Sequence, residues 1–377
     1  MFKFTVSHTD SKARVGILTT PHGDVETPVF MPVGTAASVK GVTPDHLKMC
    51  GARMVLSNTY HLLVRPGART VATLGGLHSM MGWNGPMLTD SGGYQVFSLA
   101  HLRRLDDNGV VFQSHVDGSQ IELSPQSAVE AQALLGADVM MQLDECAPAD
   151  ATHDHVHQAV ERSIAWARVC KDRWDSLDRR SNMGLPQALF AIQQGGVFTD
   201  LRERSAAEIV KLDLPGYAIG GLSVGEGHEA MSAVLDRVHD QFPAHKPRYL
   251  MGVGEPRDIL AAVMRGVDMF DCVMPTRNAR NAQAFTFSGR LRLRNSCHTQ
   301  DPKPLEDTCD CYTCRNFSRG TLRHLFMAGE MLGPTLVTIH NLRFFARFMS
   351  AIRQAVVEGN LASMAQRWLA EMYKAGE

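Results

Sequence analysis

Short apolar, β-rich runs recur along the chain with helix-like segments between them. The runs cover residues 28–33, 54–57, 87–89, 138–143, 189–192, 217–219, 249–252 and 269–270. Thr43-Pro44 and Ser124-Pro125 each set a capping side chain before a proline at the first helical position. Pro256 opens another helix after Gly254-Glu255. Strands alternating with helices predict an α/β fold with a parallel sheet, and eight such units predict a closed (β/α)8 TIM barrel. An open doubly wound sheet is the alternative. It is disfavoured because no G-x-G-x-x-G turn follows the first run.

Two stretches break the alternation. Residues 110–123 read as a β-hairpin around Asp117-Gly118, a turn-forming dipeptide, inserted after the third strand. From about residue 288 the chain carries clustered cysteines. A helical stripe of Leu336, Ile339, Leu342, Phe345, Phe348, Ile352 and Val356 follows, which reads as core packing.

The cysteine cluster is specific. Cys309-x-Cys311-x2-Cys314 is followed by 25 residues and then His340. Three thiolates and an imidazole suit zinc, fill a tetrahedral shell and leave no open position, so one structural Zn2+ per chain is expected. An iron–sulfur cluster is disfavoured by the histidine. His324 is a competing fourth ligand. The expected organisation is a barrel over residues 1–287 with an N-terminal β hairpin, a zinc-binding subdomain over 288–350, and a C-terminal helix over 351–377 packed on the barrel.

Composition adds little to this picture. With 377 residues, 44% of them apolar and 20% charged, the chain matches an ordinary globular enzyme. No apolar run approaches the ~20 residues of a membrane span. The first residues lack a signal peptide's apolar stretch, so a cytoplasmic location without a membrane partner is expected. Net charge is −1, but residues 265–347 hold twelve Lys and Arg against seven Asp and Glu. A basic region on an otherwise acidic chain fits a polyanion footprint.

In such a barrel, chemistry sits at the C-terminal strand ends. There the runs are followed by Asp90, Asp144, Gln193-Gln194, Gly220-Gly221 and Asp271. One aspartate in this position is usually a helix cap. Three on one rim would crowd like charges, an arrangement found at functional sites. Ser91-Gly92-Gly93-Tyr94 and Gly220-Gly221-Leu222-Ser223-Val224-Gly225 would let a flat ligand approach the backbone. A metal-dependent hydrolase is the competing enzyme class. It would need an open metal position, for which His153, His155 and His157 are the obvious cluster. Their alternate spacing at a helix start scatters them around a solvated surface.

These motifs resemble those of the tRNA-guanine transglycosylases. The resemblance rests on Thr89-Asp90-Ser91-Gly92-Gly93-Tyr94-Gln95-Val96, Leu143-Asp144-Glu145-Cys146, Gln193-Gln194-Gly195-Gly196, Gly220 to Glu226, and Phe270-Asp271-Cys272-Val273-Met274-Pro275-Thr276-Arg277. With the cysteine–histidine pattern it spans nearly the whole chain. It implies Asp271 as nucleophile on the ribose C1′ and Asp90 as general acid/base. It implies Asp144, Gln194 and the backbone of Gly221 and Leu222 as readers of guanine and 7-deazaguanine bases. Tyr94 and Met251 would sandwich the ring, and Arg277 and Arg280 would meet the tRNA anticodon loop. A homodimer is also implied. Cys146 and Val224 resemble the bacterial form. Ala282, where many relatives carry Gly, puts contacts on the RNA side in doubt, and Ser223 replaces a usual Ala. A catalytically inert RNA-binding subunit of the same family is the second alternative. The presence of Asp90, Asp144 and Asp271 argues against it.

Overall fold

Eight parallel strands form where the apolar runs predict them: β1 (Val29–Pro32), β2 (Val55–Ser57), β3 (Met87–Thr89), β4 (Val139–Met141), β5 (Ala188–Gln193), β6 (Gly216–Ile219), β7 (Arg248–Leu250) and β8 (Met269–Cys272). The computed structural model describes residues 2–99, 103–114 and 116–373. Residue 115 of the predicted hairpin, and residues 1 and 374–377 of the predicted outer domains, lie outside the described residues. The strands hydrogen-bond in the order β2-β3-β4-β5-β6-β7-β8-β1. The ring closes where Val33 bridges Leu56 and the Gly34 N–H donates to the Leu56 carbonyl at 2.7 Å.

The strands are apolar throughout because both faces are covered. Met31, Leu56, Leu88, Met141 and Ile192 fill the barrel interior. Met140, Leu189 and Ala191 belong to the outer core beneath the helices. Thr43 and Ser124 each close a capping box on their helices, Pro44–Cys50 and Pro125–Leu135, and Pro256 starts the helix Pro256–Val263. No helix among the described residues is long and apolar enough to cross a membrane.

Both expected hairpins form and each gains a third strand, while the expected 350/351 boundary is not seen. The N-terminal hairpin is a three-stranded antiparallel sheet, because Gly23–Thr27 pairs back on Ala13–Thr20 beside Lys3–Asp10. Its Phe4, Leu18 and Val25 join the interior cluster and plug the N-terminal end of the barrel. The insert is three-stranded as well: Arg103–Asp106 adds to Gly109–Gln113 and Gln120–Leu123. Its tight turn is held by Asp106 Oδ1, which accepts the Asn108 N–H at 2.8 Å. The boundary expected at 350/351 falls inside one unbroken helix, Leu332–Val357, whose buried stripe runs through Phe348 and Ile352 without interruption. Phe345 of that helix packs on Phe30 of β1, with ring centroids 4.5 Å apart. The helix thus covers the barrel and carries His340 at once. A separate helix, Leu361–Met372, follows it.

Candidate active site and metal centre

Strands β3, β4 and β8 deliver Asp90, Asp144 and Asp271 to the C-terminal rim. Asp90 is buried and held from β2: Asn58 Nδ2 donates to Oδ2 at 2.5 Å and the Thr59 N–H to Oδ1 at 2.8 Å. Gln95 Nε2 adds a bond to Oδ2 at 2.8 Å. Burial nevertheless outweighs these donors and pushes the carboxyl up to about 6, with the charge of Asp271 adding to the shift. Asp144 accepts from Ser91 Oγ at 3.2 Å and from Gln194 Nε2 at 2.6 Å. Burial, reinforced by the charge of Asp90, raises it to about 6 as well.

Asp271 is only partly covered. Both of its donors share one oxygen: Tyr249 OH at 2.5 Å and the Gly252 N–H at 2.8 Å lie on Oδ1. Burial raises this carboxyl, and those two bonds oppose the rise. Tyr249 is itself held far above the usual phenol range, by burial and then by Asp271, so it stays a donor.

Asp144 continues into a flat polar wall. A Cβ on Gly93 would sit 2.7 Å from the Asp144 carbonyl oxygen. Gly221 has φ +64°, and a Cβ there would meet Gln194 Oε1 at 2.4 Å, so both positions require glycine. The turn after Gly221 is fixed by Glu226, which accepts the N–H of Ser223 and, at 2.9 Å, that of Val224. Beneath it lies the buried Arg202, donating to the carbonyls of Gly196 at 2.8 Å, Gln193 at 3.1 Å and Gly221 at 3.5 Å. Burial lowers Arg202 to about 10, which leaves it charged at neutral pH. Leu222 is buried, Met251 and Val224 are half-buried, and Tyr94 is 53% exposed at the start of the helix Gly93–Leu99. The Cys146 thiol is pushed up to about 12, by burial and then by Asp144, so it remains a neutral neighbour.

Arg277 and Arg280 stand on one exposed face of the helix Met274–Arg280, directly after β8. Among the described residues neither forms an ion pair. Partial burial, and then the charge of Arg277, lowers Arg280 from the ordinary arginine value. Ala282 does not face that side: it is 1% exposed and packs with Ala279, Leu293 and Leu322. Its methyl group is therefore core, not an obstacle to RNA.

Sequence reading missed Asn58, Thr59, Tyr249 and Arg202. The strand-end rule applied to β2 would have found the first two. His153, His155 and His157 sit exposed on the first turn of His153–Ser176, with His153 paired to Asp200 at 2.8 Å, and they gather no metal site.

The second predicted centre converges as a unit. His340 Nδ1 lies 3.6 Å from Cys309 Sγ, 3.8 Å from Cys311 Sγ and 3.3 Å from Cys314 Sγ. Zinc bonds of about 2.3 Å to sulfur and 2.0–2.1 Å to nitrogen place tetrahedral ligand atoms roughly 3.5 Å apart, so the donors fit that ion. His340 Nε2 donates to the Phe285 carbonyl at 2.8 Å, which turns the Nδ1 lone pair toward the thiols. The four residues could hold a metal ion, and His324 is not among them.

A (β/α)8 barrel with three carboxylates, an amide and a glycine turn on its C-terminal rim is an arrangement suited to proton transfer and nucleophilic chemistry on a flat polar ligand. Residues 9–374 match the family model described as queuine tRNA-ribosyltransferase. Proteins of that name include one from Pelotomaculum thermopropionicum, 53% identical over 360 residues and 95% of both chains. Another, from Thermus thermophilus, is 50% identical over 367 residues, 97% of this chain and 93% of its own. A third, from Novosphingobium aromaticivorans, is 50% identical over 364 residues, 97% of this chain and 96% of its own. The chain belongs to the queuine tRNA-ribosyltransferase family, which are pentosyltransferases.

Proposed function

We propose that the protein exchanges the wobble guanine of tRNAs with G-U-N anticodons, those for Asp, Asn, His and Tyr, for 7-aminomethyl-7-deazaguanine, a step in queuosine biosynthesis. The observation that carries this reading is the asymmetry of Asp271. Its Oδ1 is held by Tyr249 and Gly252, while among the described residues Oδ2 has no donor and the carboxylate is partly open.

In the first half-reaction Asp271 Oδ2 attacks the ribose C1′ and the C1′–N9 bond breaks. Guanine leaves with a proton from Asp90, and the ribose stays bonded to the enzyme as in retaining glycosidases. In the second half, the incoming base gives its N9 proton to Asp90 and displaces Asp271 from C1′. Neither half touches a phosphodiester bond. The Asp144 carboxylate accepts the paired N–H donors of the guanine edge. Gln194 and the backbone at Gly221 and Leu222 meet its carbonyl. Tyr94 and Met251 cover the two ring faces, a contact worth about 1–3 kcal/mol per stacked base. Arg277 and Arg280 bind anticodon-loop phosphates, and the absence of ion pairs to them among the described residues supports this. Zinc in the Cys309, Cys311, Cys314 and His340 site is structural, since four protein ligands leave no position for substrate. A tRNA substrate places the enzyme in the cytoplasm. The exposed Met49, Tyr312, Met327, Met331 and Leu332 support a homodimer.

The test is transfer of labelled guanine into unmodified tRNA. Label is expected in G-U-N tRNAs and absent from a tRNA whose wobble guanine is replaced by adenine. Equal labelling of both, or of neither, would sink the proposal. The same assay carries a pH prediction. Burial raises Asp90 and Asp144 to about 6, and both are needed ionised in the covalent intermediate that the incoming base meets, where Asp90 has already given up its proton. kcat/KM for guanine should therefore be flat above pH about 7 and fall steeply below about 6, with a slope approaching two protons. A flat profile down to pH 5 would remove these carboxylates from the roles given.

A further inference from the structure

The N-terminal end of the barrel, opposite the carboxylate site, holds another group of metal-type ligands. Asp138 directly precedes β4, and its side chain is wholly buried. His22 comes from the turn between the N-terminal strands Ala13–Thr20 and Gly23–Thr27, and His78 from the short helix Gly76–Met81. His22 Nδ1 lies 2.8 Å from Asp138 Oδ1, and His78 Nε2 lies 3.3 Å from Oδ2. The two imidazoles stack with centroids 3.7 Å apart and planes 17° from parallel. All the ligand atoms fall within 4.8 Å of one another.

Hydrogen bonding alone leaves one atom over. Asp138 Oδ2 accepts the Met87 N–H at 2.8 Å, and Oδ1 pairs with His22. His78 Nε2 is buried and, at 3.3 Å from Asp138 Oδ2, is left without a well-formed hydrogen bond. Thr20, the nearest hydroxyl in the turn, already donates to Gly23 and accepts from the His22 N–H. A buried ring nitrogen facing a carboxylate at this distance is poorly satisfied by hydrogen bonding, and a cation between them would serve both groups.

We propose that His22, His78 and Asp138 bind a divalent transition-metal ion of the zinc or cobalt type at the base of the barrel. Two imidazoles and one carboxylate are a regular ligand set for such ions. At bond lengths of about 2.0–2.2 Å, tetrahedral ligand atoms stand roughly 3.3–3.5 Å apart. The His78–Asp138 spacing already meets this, and His22 needs to withdraw by about 0.5 Å. The rings must also splay so that both lone pairs meet at the ion. Side-chain exposures of 21% for His22 and 14% for His78 leave room for that movement and for a water as fourth ligand. The ion would clamp the N-terminal sheet, the Gly76–Met81 helix and β4 together. This is the end of the barrel that serves stability, not chemistry.

The full chain, saturated with zinc and freed of excess by gel filtration, is the material for the test. Mass spectrometric metal counting should give two zinc ions per chain in the native protein, and one each in His78→Ala and His22→Ala. After cobalt exchange, His78→Ala should keep the thiolate-to-cobalt charge-transfer bands of the Cys309 centre and lose a set of weaker ligand-field bands. Zinc should raise the melting temperature of the native protein above that of His78→Ala. Base exchange should be equal in both. One zinc per saturated native chain, or two retained in His78→Ala, overturns the proposal.

Discussion

Asp271→Asn should abolish base exchange, with the rate falling by more than about 10⁴-fold as for other lost nucleophiles, while tRNA still binds. The substitution keeps shape and one carbonyl oxygen, so Tyr249 and the Gly252 N–H retain an acceptor. What disappears is the charged oxygen proposed to attack C1′. Folding should not suffer. Burial already raises Asp271, which means the site favours a neutral group, and an amide satisfies that preference. Arg277 and Arg280 are untouched, so the salt-dependent part of tRNA affinity should persist. Denaturing gels add a direct readout: a protein–tRNA adduct should form with the native enzyme and be missing with Asp271→Asn. Exchange within tenfold of native would move the nucleophile elsewhere, with Asp90→Asn the next variant to make.

Much of this site follows from a single rule, that barrel chemistry gathers where strands end. The rule finds Asp90, Asp144, Gln194, Gly221 and Asp271 because each terminates an apolar run, and the structure brings all five to one rim. It fails where a side chain's meaning depends on register. Tyr249 lies inside an apolar run and reads as core. Only the pairing of β7 with β8, which sets Tyr249 beside Met269 and Leu250 beside Phe270, brings its hydroxyl to Asp271. Arg202 sits in the charged segment Leu201-Arg202-Glu203-Arg204 and looks solvated. Its face of the helix Thr199–Val210 instead points at β5, and the carbonyls of Gln193 and Gly196 take the place of water. Spacing favours His340 but does not exclude His324 as the fourth ligand. They separate because helix Leu332–Val357 is buried along its whole stripe, which turns His340 inward, whereas His324 lies on the neighbouring helix Arg319–Met327. The strands added to the two hairpins are not legible for a related reason. A third strand with one exposed face and mostly polar residues, such as Gly23–Thr27, carries little periodic signal until its partner is known.

Cys311→Ser should lower the zinc content by one ion per chain and destabilise the protein strongly. The variant is informative because Cys311 has two jobs. Its sulfur is one of the four proposed zinc donors, and it caps the helix Tyr312–Asn316 by accepting the Cys314 N–H at 3.4 Å. Serine is a good N-cap, so the cap survives and the loss reports on the metal. Structural zinc contributes about 10–16 kcal/mol in small zinc domains. Here the apolar stripe of the long helix carries part of the load. Even a third of that contribution corresponds to a melting temperature lower by roughly 5 °C. The damage should also reach the active site along a traceable path. His340 is bonded to the Phe285 carbonyl, and the next residue, Asn341, accepts the Phe285 N–H at 3.0 Å and donates to the Pro275 carbonyl at 2.9 Å. Pro275 lies in the helix that displays Arg277 and Arg280. Loosening His340 therefore loosens the helix carrying Arg277 and Arg280 more than the carboxylates, which are held by residues after β2, β3 and β5 and by Tyr249 of β7. At a temperature where the variant is still folded, KM for tRNA should rise more than kcat falls. Unchanged metal content together with a melting temperature within a degree or two of native would mean that the cluster is not a zinc centre.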